Sequence, residues 1–206
     1  MLHPMKEDIL EQLVDDYLLA KGYFTRHNVK FKPRVDHPEF ISKQDSNHSD
    51  IDVLGYHPLQ SGPSRVVAVG CKSWQGGFDV VARLRDLERN AKVSGRDAWK
   101  QFRELVRPKW SEAYLATIEH ETGSTDFTYV TAVTVLKGDR LLWENKPAFQ
   151  EAINHNPIQI WTLTDMLTEL FPMLETTVAS SQFARTLQLI KASGWSTSLV
   201  RKHRAG

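Results

Sequence analysis

The chain has 206 residues, 41% of them hydrophobic and 25% charged, with a formal net charge of +1. This predicts one main globular domain with a C-terminal extension, here 1–175 followed by 176–206, and it excludes a blanket polycation. The single cysteine excludes an intrachain disulfide and, with no apolar run long enough to span a bilayer and no signal-peptide pattern in MLHPMKEDILEQ, the expectation is a cytoplasmic protein away from membranes.

The first predicted element is a helix over Lys6–Lys21, with Leu10, Leu13, Val14, Tyr17 and Leu18 at helical spacing and Gly22 closing it. Glu11 falls at the rim of that apolar stripe. A strand over Phe24–Lys32 follows, then an irregular segment marked by Pro33, Pro38 and KQDSNHS. His37 and His48 flank this loop, but no cysteine or closely spaced second histidine supports a zinc site. Two short runs, Ile51–Tyr56 and Arg65–Gly70, are joined by a turn rich in Gly, Pro and Ser and read as a β-hairpin. Asp52 stands at the start of its first strand and Lys72 at the end of its second. Side chains alternate along a strand, so position 70 shares a face with Lys72 while Cys71 points away.

After a turn at Gly76–Gly77, Asp79 is a plausible N-cap for a helix with Val80, Leu84, Leu87 and Ala91 on its buried stripe. Arg83, Arg85, Arg89 and Lys92 remain for its other faces, diluted by Asp86 and Glu88. DAWKQFRELV reads as a short helix stopped by Pro108, and a further helix spans Ser111–Glu121. Lys100, Arg103, Arg107 and Lys109 lie here among Trp99 and Trp110, an interleaving that suits nucleic acid, although tryptophans at helical spacing are more often core. Phe127–Leu136 is the clearest long strand. A helix near Pro147, a strand Ile158–Thr162, a helix capped by Thr164 or Asp165 and interrupted by Pro172, and a last helix over Val178–Ala192 ending at Gly194 complete the chain before a basic tail, LVRKHRAG. This order predicts an α/β fold with a central mixed sheet flanked by helices.

SDIDVLGY and VVAVGCKSW, preceded by the first-helix segment EDILEQLVDDYLLAKGYF, resemble the acidic motifs of the PD-(D/E)XK nuclease superfamily, especially restriction endonucleases and Holliday-junction resolvases. The resemblance implies a restriction-endonuclease-like core and a metal-dependent DNA endonuclease of restriction or defence type. Asp52 would be the metal-binding aspartate, Lys72 the active-site lysine, the Cys71 carbonyl a further ligand of Mg2+ or Mn2+, and Glu11 a first-helix acid reaching the metal or its water. Gly70 stands where the family carries Glu, Asp or occasionally Gln. Three explanations are open: a substitution that disables a toxic nuclease, a protein that binds without cutting, or a second acid supplied from Glu88, Asp79 or Glu11. The implied partner is duplex DNA, contacted through Arg83, Arg85, Arg89, Lys92 and Lys100, with assembly as a homodimer or with a partner subunit as a further source of contacts. The rival reading is a nucleic-acid-binding or protein-interaction module on the same fold.

Overall fold

The computed structural model describes residues 8–174 and 181–194; the start of the expected last helix at Val178 and the basic tail lie outside them. Five strands form one sheet in chain order: β1 (Phe24–Phe31), β2 (Ser49–Tyr56), β3 (Val66–Lys72), β4 (Thr128–Val133) and β5 (Ile158–Thr162). β1–β2 and β2–β3 pair antiparallel, whereas β3–β4 and β4–β5 pair parallel. The expected mixed α/β sheet is therefore present.

Helices cover both faces, and the residue pattern explains which. Helix α1 (Ile9–Ala20) turns Leu10, Leu13, Val14, Tyr17 and Leu18 onto Val53, Val67, Val69 and Val130. Asp8 caps it through the Leu10 N–H, and Gly22 takes φ +87° just past its end, a conformation that carries no steric cost for glycine. The opposite face carries Leu54, Ala68, Tyr129 and Ile160, covered by the long crossover between β3 and β4. That crossover holds α2 (Val80–Glu88), α3 (Arg103–Val106) and α4 (Pro108–Thr122), with an aromatic cluster of Phe78, Phe102, Trp143 and Phe149 beneath. Burying each such side chain stabilises the fold by about 1.5–3 kcal/mol before entropy is counted.

Several expected boundaries shift for identifiable reasons. The single helix expected from DAWKQFRELV is a 3-10 turn, Ala98–Gln101, followed by α3. Pro108 opens α4 rather than merely stopping its predecessor, because proline at the first helical position loses no hydrogen bond. The strand expected over Phe127–Leu136 ends at Val133; Leu136 and Lys137 instead pair with Phe78 and Asp79. The next helix, α5 (Leu163–Met173), is capped by Thr162, which accepts from the Asp165 N–H while Asp165 accepts from the Thr162 N–H. Pro172 sits one residue from the end of α5 and does not break it. The last described helix, α6 (Gln182–Ala192), buries Ala184 and Leu187 in the cluster shared with α1 and α5. Among the described residues no helix is long and apolar enough to cross a membrane.

Candidate functional site at the fork between the second and third strands

The β2–β3 ladder runs from Tyr56↔Val66 to Val53↔Val69 and stops there. Beyond it the strands diverge, and Asp52 and the Gly70–Lys72 stretch lie in the fork. A kink in β1 lies beside it. Asn28, at φ +53°, stands between the pairs His27↔Val53 and Val29↔Ile51. Residues two apart on a regular strand share a face. Here His27 meets Asp15 of α1 at 3.0 Å while Val29 joins the opposite core, and Val53 and Ile51 divide in the same way. A left-handed residue disrupts the pleat. Asp52 sits at that disruption, and its carboxylate accepts the Cys71 N–H across the fork at 2.5 Å.

Asp52 is enclosed enough that burial raises its pKa, with Asp50 and Asp8 adding to the rise. The Lys72 ammonium and the Cys71 N–H pull the other way without cancelling it. No ion pair joins that ammonium to Asp52. The ammonium folds over Gly70: a Cβ built at position 70 would meet only Lys72 Nζ, at 3.7 Å. Lys72 and position 70 thus share a face, and the ammonium sits 5.6 Å from the centre of the Phe102 ring.

Glu11 reaches the same region from α1. Burial, then Asp52 and Asp8, push its carboxyl up to about 7, against the weaker opposing pull of His27 and Lys72. A carboxyl with a raised folded pKa holds its proton longer than in the unfolded chain. Its effect on stability is thus favourable at low pH and lost as pH climbs from about 4.5 toward 7. Glu11→Gln, in EDTA, is expected to raise the melting temperature at pH 8 by roughly 2–4 °C, a figure reduced for partial solvent exposure, with the gain shrinking toward pH 5. An equal gain at both pH values would mean that Glu11 does not titrate in this range. Burial, then Asp52, Glu11 and Asp8, hold the Cys71 thiol far above its ordinary value, so it is no nucleophile.

The other acids considered for position 70 do not gather here. Glu88 is exposed and paired with Lys146 at 2.8 Å, and Asp79 caps α2 through the Ala82 N–H. Sequence reasoning missed a different acid, Glu104 of α3. Its carboxyl is packed round by protein although part of the residue stays accessible, and it accepts the Tyr129 hydroxyl at 2.6 Å. Burial raises its pKa, while Tyr129, Lys72 and Arg103 oppose that rise. Thr131, opposite Gly70 on β4, is 1% exposed, and its hydroxyl makes no well-aligned hydrogen bond although the Tyr129 phenol is nearby. Its place between Phe102 and Leu105, both of which turn into the core, was the one available signal. Asp8 was missed too; it caps α1 and also accepts the Ser73 hydroxyl.

The cationic residues divide. Arg83 stacks on Trp74 at 4.8 Å, and Trp74 contacts Phe102 edge-on, which brings Arg83 within two rings of Lys72. Arg85 leans on Asp86 at 3.9 Å, and Lys100 pairs with Asp97 at 3.0 Å. Arg89 and Lys92 stand further along, at the end of α2 and in a two-residue strand. Trp110 is core, with Arg103 over its ring, and Lys109 is buried against Asp45. His37 faces Glu112 at 3.4 Å, and His48 precedes β2.

The donors at the fork suit a hard divalent cation. The N–H and C=O of one strand residue leave on the same edge, so the Cys71 carbonyl faces Asp52 as its N–H does. Asp52, that carbonyl and Glu11 are the oxygens that could hold such an ion, and its charge would offset the acids Asp52 and Asp8 that, after burial, raise the Glu11 pKa. Among the described residues no three His, Cys, Asp or Glu side chains are grouped to hold an ion, so the carbonyl and water would have to complete the shell.

The chain is an α/β fold with a five-stranded mixed sheet packed by helices, and Asp52 and Lys72 lie at the fork between its second and third strands. Compared with protein-family models, curated proteins and solved structures, the chain finds no match.

Proposed function

We propose that the protein is a restriction-endonuclease-like scaffold that binds duplex DNA, with metal-dependent phosphodiester cleavage impaired by Gly70. The observation that carries this reading is the fork, where Asp52 accepts the Cys71 N–H and the Lys72 ammonium lies over position 70. Asp52 and the Cys71 carbonyl would hold Mg2+ or Mn2+, with Glu11 reaching the ion or its water. The ion supplies Lewis acidity and lowers the pKa of bound water. Lys72 orients that water and offsets charge on the scissile phosphate. The aromatic wall of Phe102 and Trp74 limits the ammonium's freedom, and Arg83 on Trp74 adds positive charge beside it. Position 70 contributes no oxygen, which leaves the ion loosely placed, and metal catalysis depends on placement.

The test uses the full chain and a labelled duplex of about two helical turns. Binding is expected to weaken steeply as salt rises, because phosphate contacts release counterions. Cleavage with Mg2+ or Mn2+ is expected to stay near the EDTA background. Absence of salt-dependent binding would overturn the reading in favour of a protein-interaction module, and robust cutting would show that Gly70 is no impairment.

A further inference from the structure

Beside the fork lies a groove that the sequence did not single out. Its wall is the edge strand β1 and the segment that follows it, with Lys30 on the strand and Lys32 and Arg34 beyond its end at Phe31, all three exposed at alternate positions; its floor is α4, with the small side chains Ala113, Ala116 and Thr117. The register sets Lys30 opposite Asp50, two residues from Asp52, so the groove opens at the same end of the sheet as the fork. Four acids around it are engaged, Glu121 by Arg26, Glu112 by His37, Asp36 by Arg34 and Asp45 by Lys109, while exposed Asp50 stands across the ladder from Lys30. Lys30 and Lys32 pair with no described acid. By contrast, Arg83, Arg85 and Lys100, three of the five cations expected to bind DNA, are tied to acids of their own segments.

We propose that this β1–α4 groove seats one phosphate backbone of the duplex and so directs it toward Asp52. The inference rests on the nuclease-scaffold reading and identifies a surface for it. Alternate residues of an extended strand are about 6.5–7 Å apart, a stride close to that between successive phosphates of one strand. Lys30 on β1 and Lys32 just past its end thus present two cations at about that interval, with Arg34, which Asp36 already holds, beyond them, and the small residues of the floor let a backbone approach closely. Charged residues on an edge strand also serve to block sheet-to-sheet association. That role needs charge of either sign, whereas phosphate binding needs positive charge.

Charge reversal separates the two roles. Full-length Lys30→Glu/Lys32→Glu is compared with Arg85→Glu/Arg89→Glu and with the unaltered chain, on the same duplex across a salt series. Thermal melting and size-exclusion profiles should match the unaltered chain, because both lysines are exposed. The groove variant is expected to lose on the order of tenfold or more in affinity and to lower the salt slope by about two. Affinity and slope unchanged in the groove variant, while the unaltered chain binds, would overturn the groove and leave DNA binding standing. No salt-dependent binding by the unaltered chain would overturn both.

Discussion

Gly70→Glu is expected to raise Mg2+-dependent cleavage of duplex DNA by on the order of 10²-fold or more over the unaltered chain. Loss of a group that merely orients a ligand typically costs 10–100-fold, and a missing ligand should cost at least as much. The backbone admits the change: Gly70 is not among the residues with positive φ, and a Cβ there meets only the end of the flexible Lys72 side chain at 3.7 Å. Replacing a strand glycine removes an entropic penalty, whereas the new carboxylate repels Asp52 and Glu11 in metal-free protein, so the variant should gain stability when Mg2+ is added. The new carboxylate would share a face with Lys72 and lie beside the fork that Asp52 closes, completing the oxygen set. Adding Asp52→Ala or Lys72→Ala to Gly70→Glu should abolish the gain, and EDTA should do the same. Metal and DNA binding without any gain, on linear, nicked or branched DNA, would favour a protein that binds without cutting. Strong cleavage by the unaltered chain would direct attention to Glu11 and then Glu104, which both lie in the field of Lys72.

The fork was legible in sequence to a definite extent. Short apolar runs bounded by turn residues fixed two strands, and strand alternation placed Lys72 and position 70 on one face. Helical spacing put Glu11 at the rim of α1, where burial and its acidic neighbours raise its pKa. The kink at Asn28 was not legible, since a left-handed asparagine leaves no mark in hydrophobic pattern and acts only through pairing with a distant strand. Glu104 escaped because α3 has one turn, too short for a period to declare itself. The tryptophan-rich segment illustrates the converse. Its interleaved cations suit nucleic acid, but the core reading favoured for its tryptophans holds: Trp99 and Trp110 turn inward, and Arg103 lies over the Trp110 ring. Charge alone did not locate the open surface; the pairing of each acid did.

Asp45→Ala is expected to cost about 3–5 kcal/mol of folding stability at pH 7, the largest loss expected from any polar residue near the groove. Asp45 is wholly closed from solvent though it lies just under a loop, and it accepts from Lys109 Nζ at 2.7 Å, Trp110 Nε1 at 3.0 Å and the Ile41 N–H at 2.7 Å. Burial alone would raise its pKa, but the lysine and the two N–H donors outweigh burial and lower it. Its contribution is therefore present above the unfolded value near 4 and lost as pH falls through the lower folded value. Removing the carboxylate strands the Lys109 ammonium, with only the Glu39 carbonyl beside it. It also frees the segment before β2 from α4, the segment that carries Arg34 and His37 along the groove and leads into Asp50 and Asp52. Lys109→Met combined with Asp45→Ala should recover part of the loss, because no buried charge is then left unpaired. Denaturant midpoints for the two single variants and the double variant measure the coupling. A loss below about 1 kcal/mol in Asp45→Ala would mean that water reaches Lys109 and that the pair does not hold this segment in place.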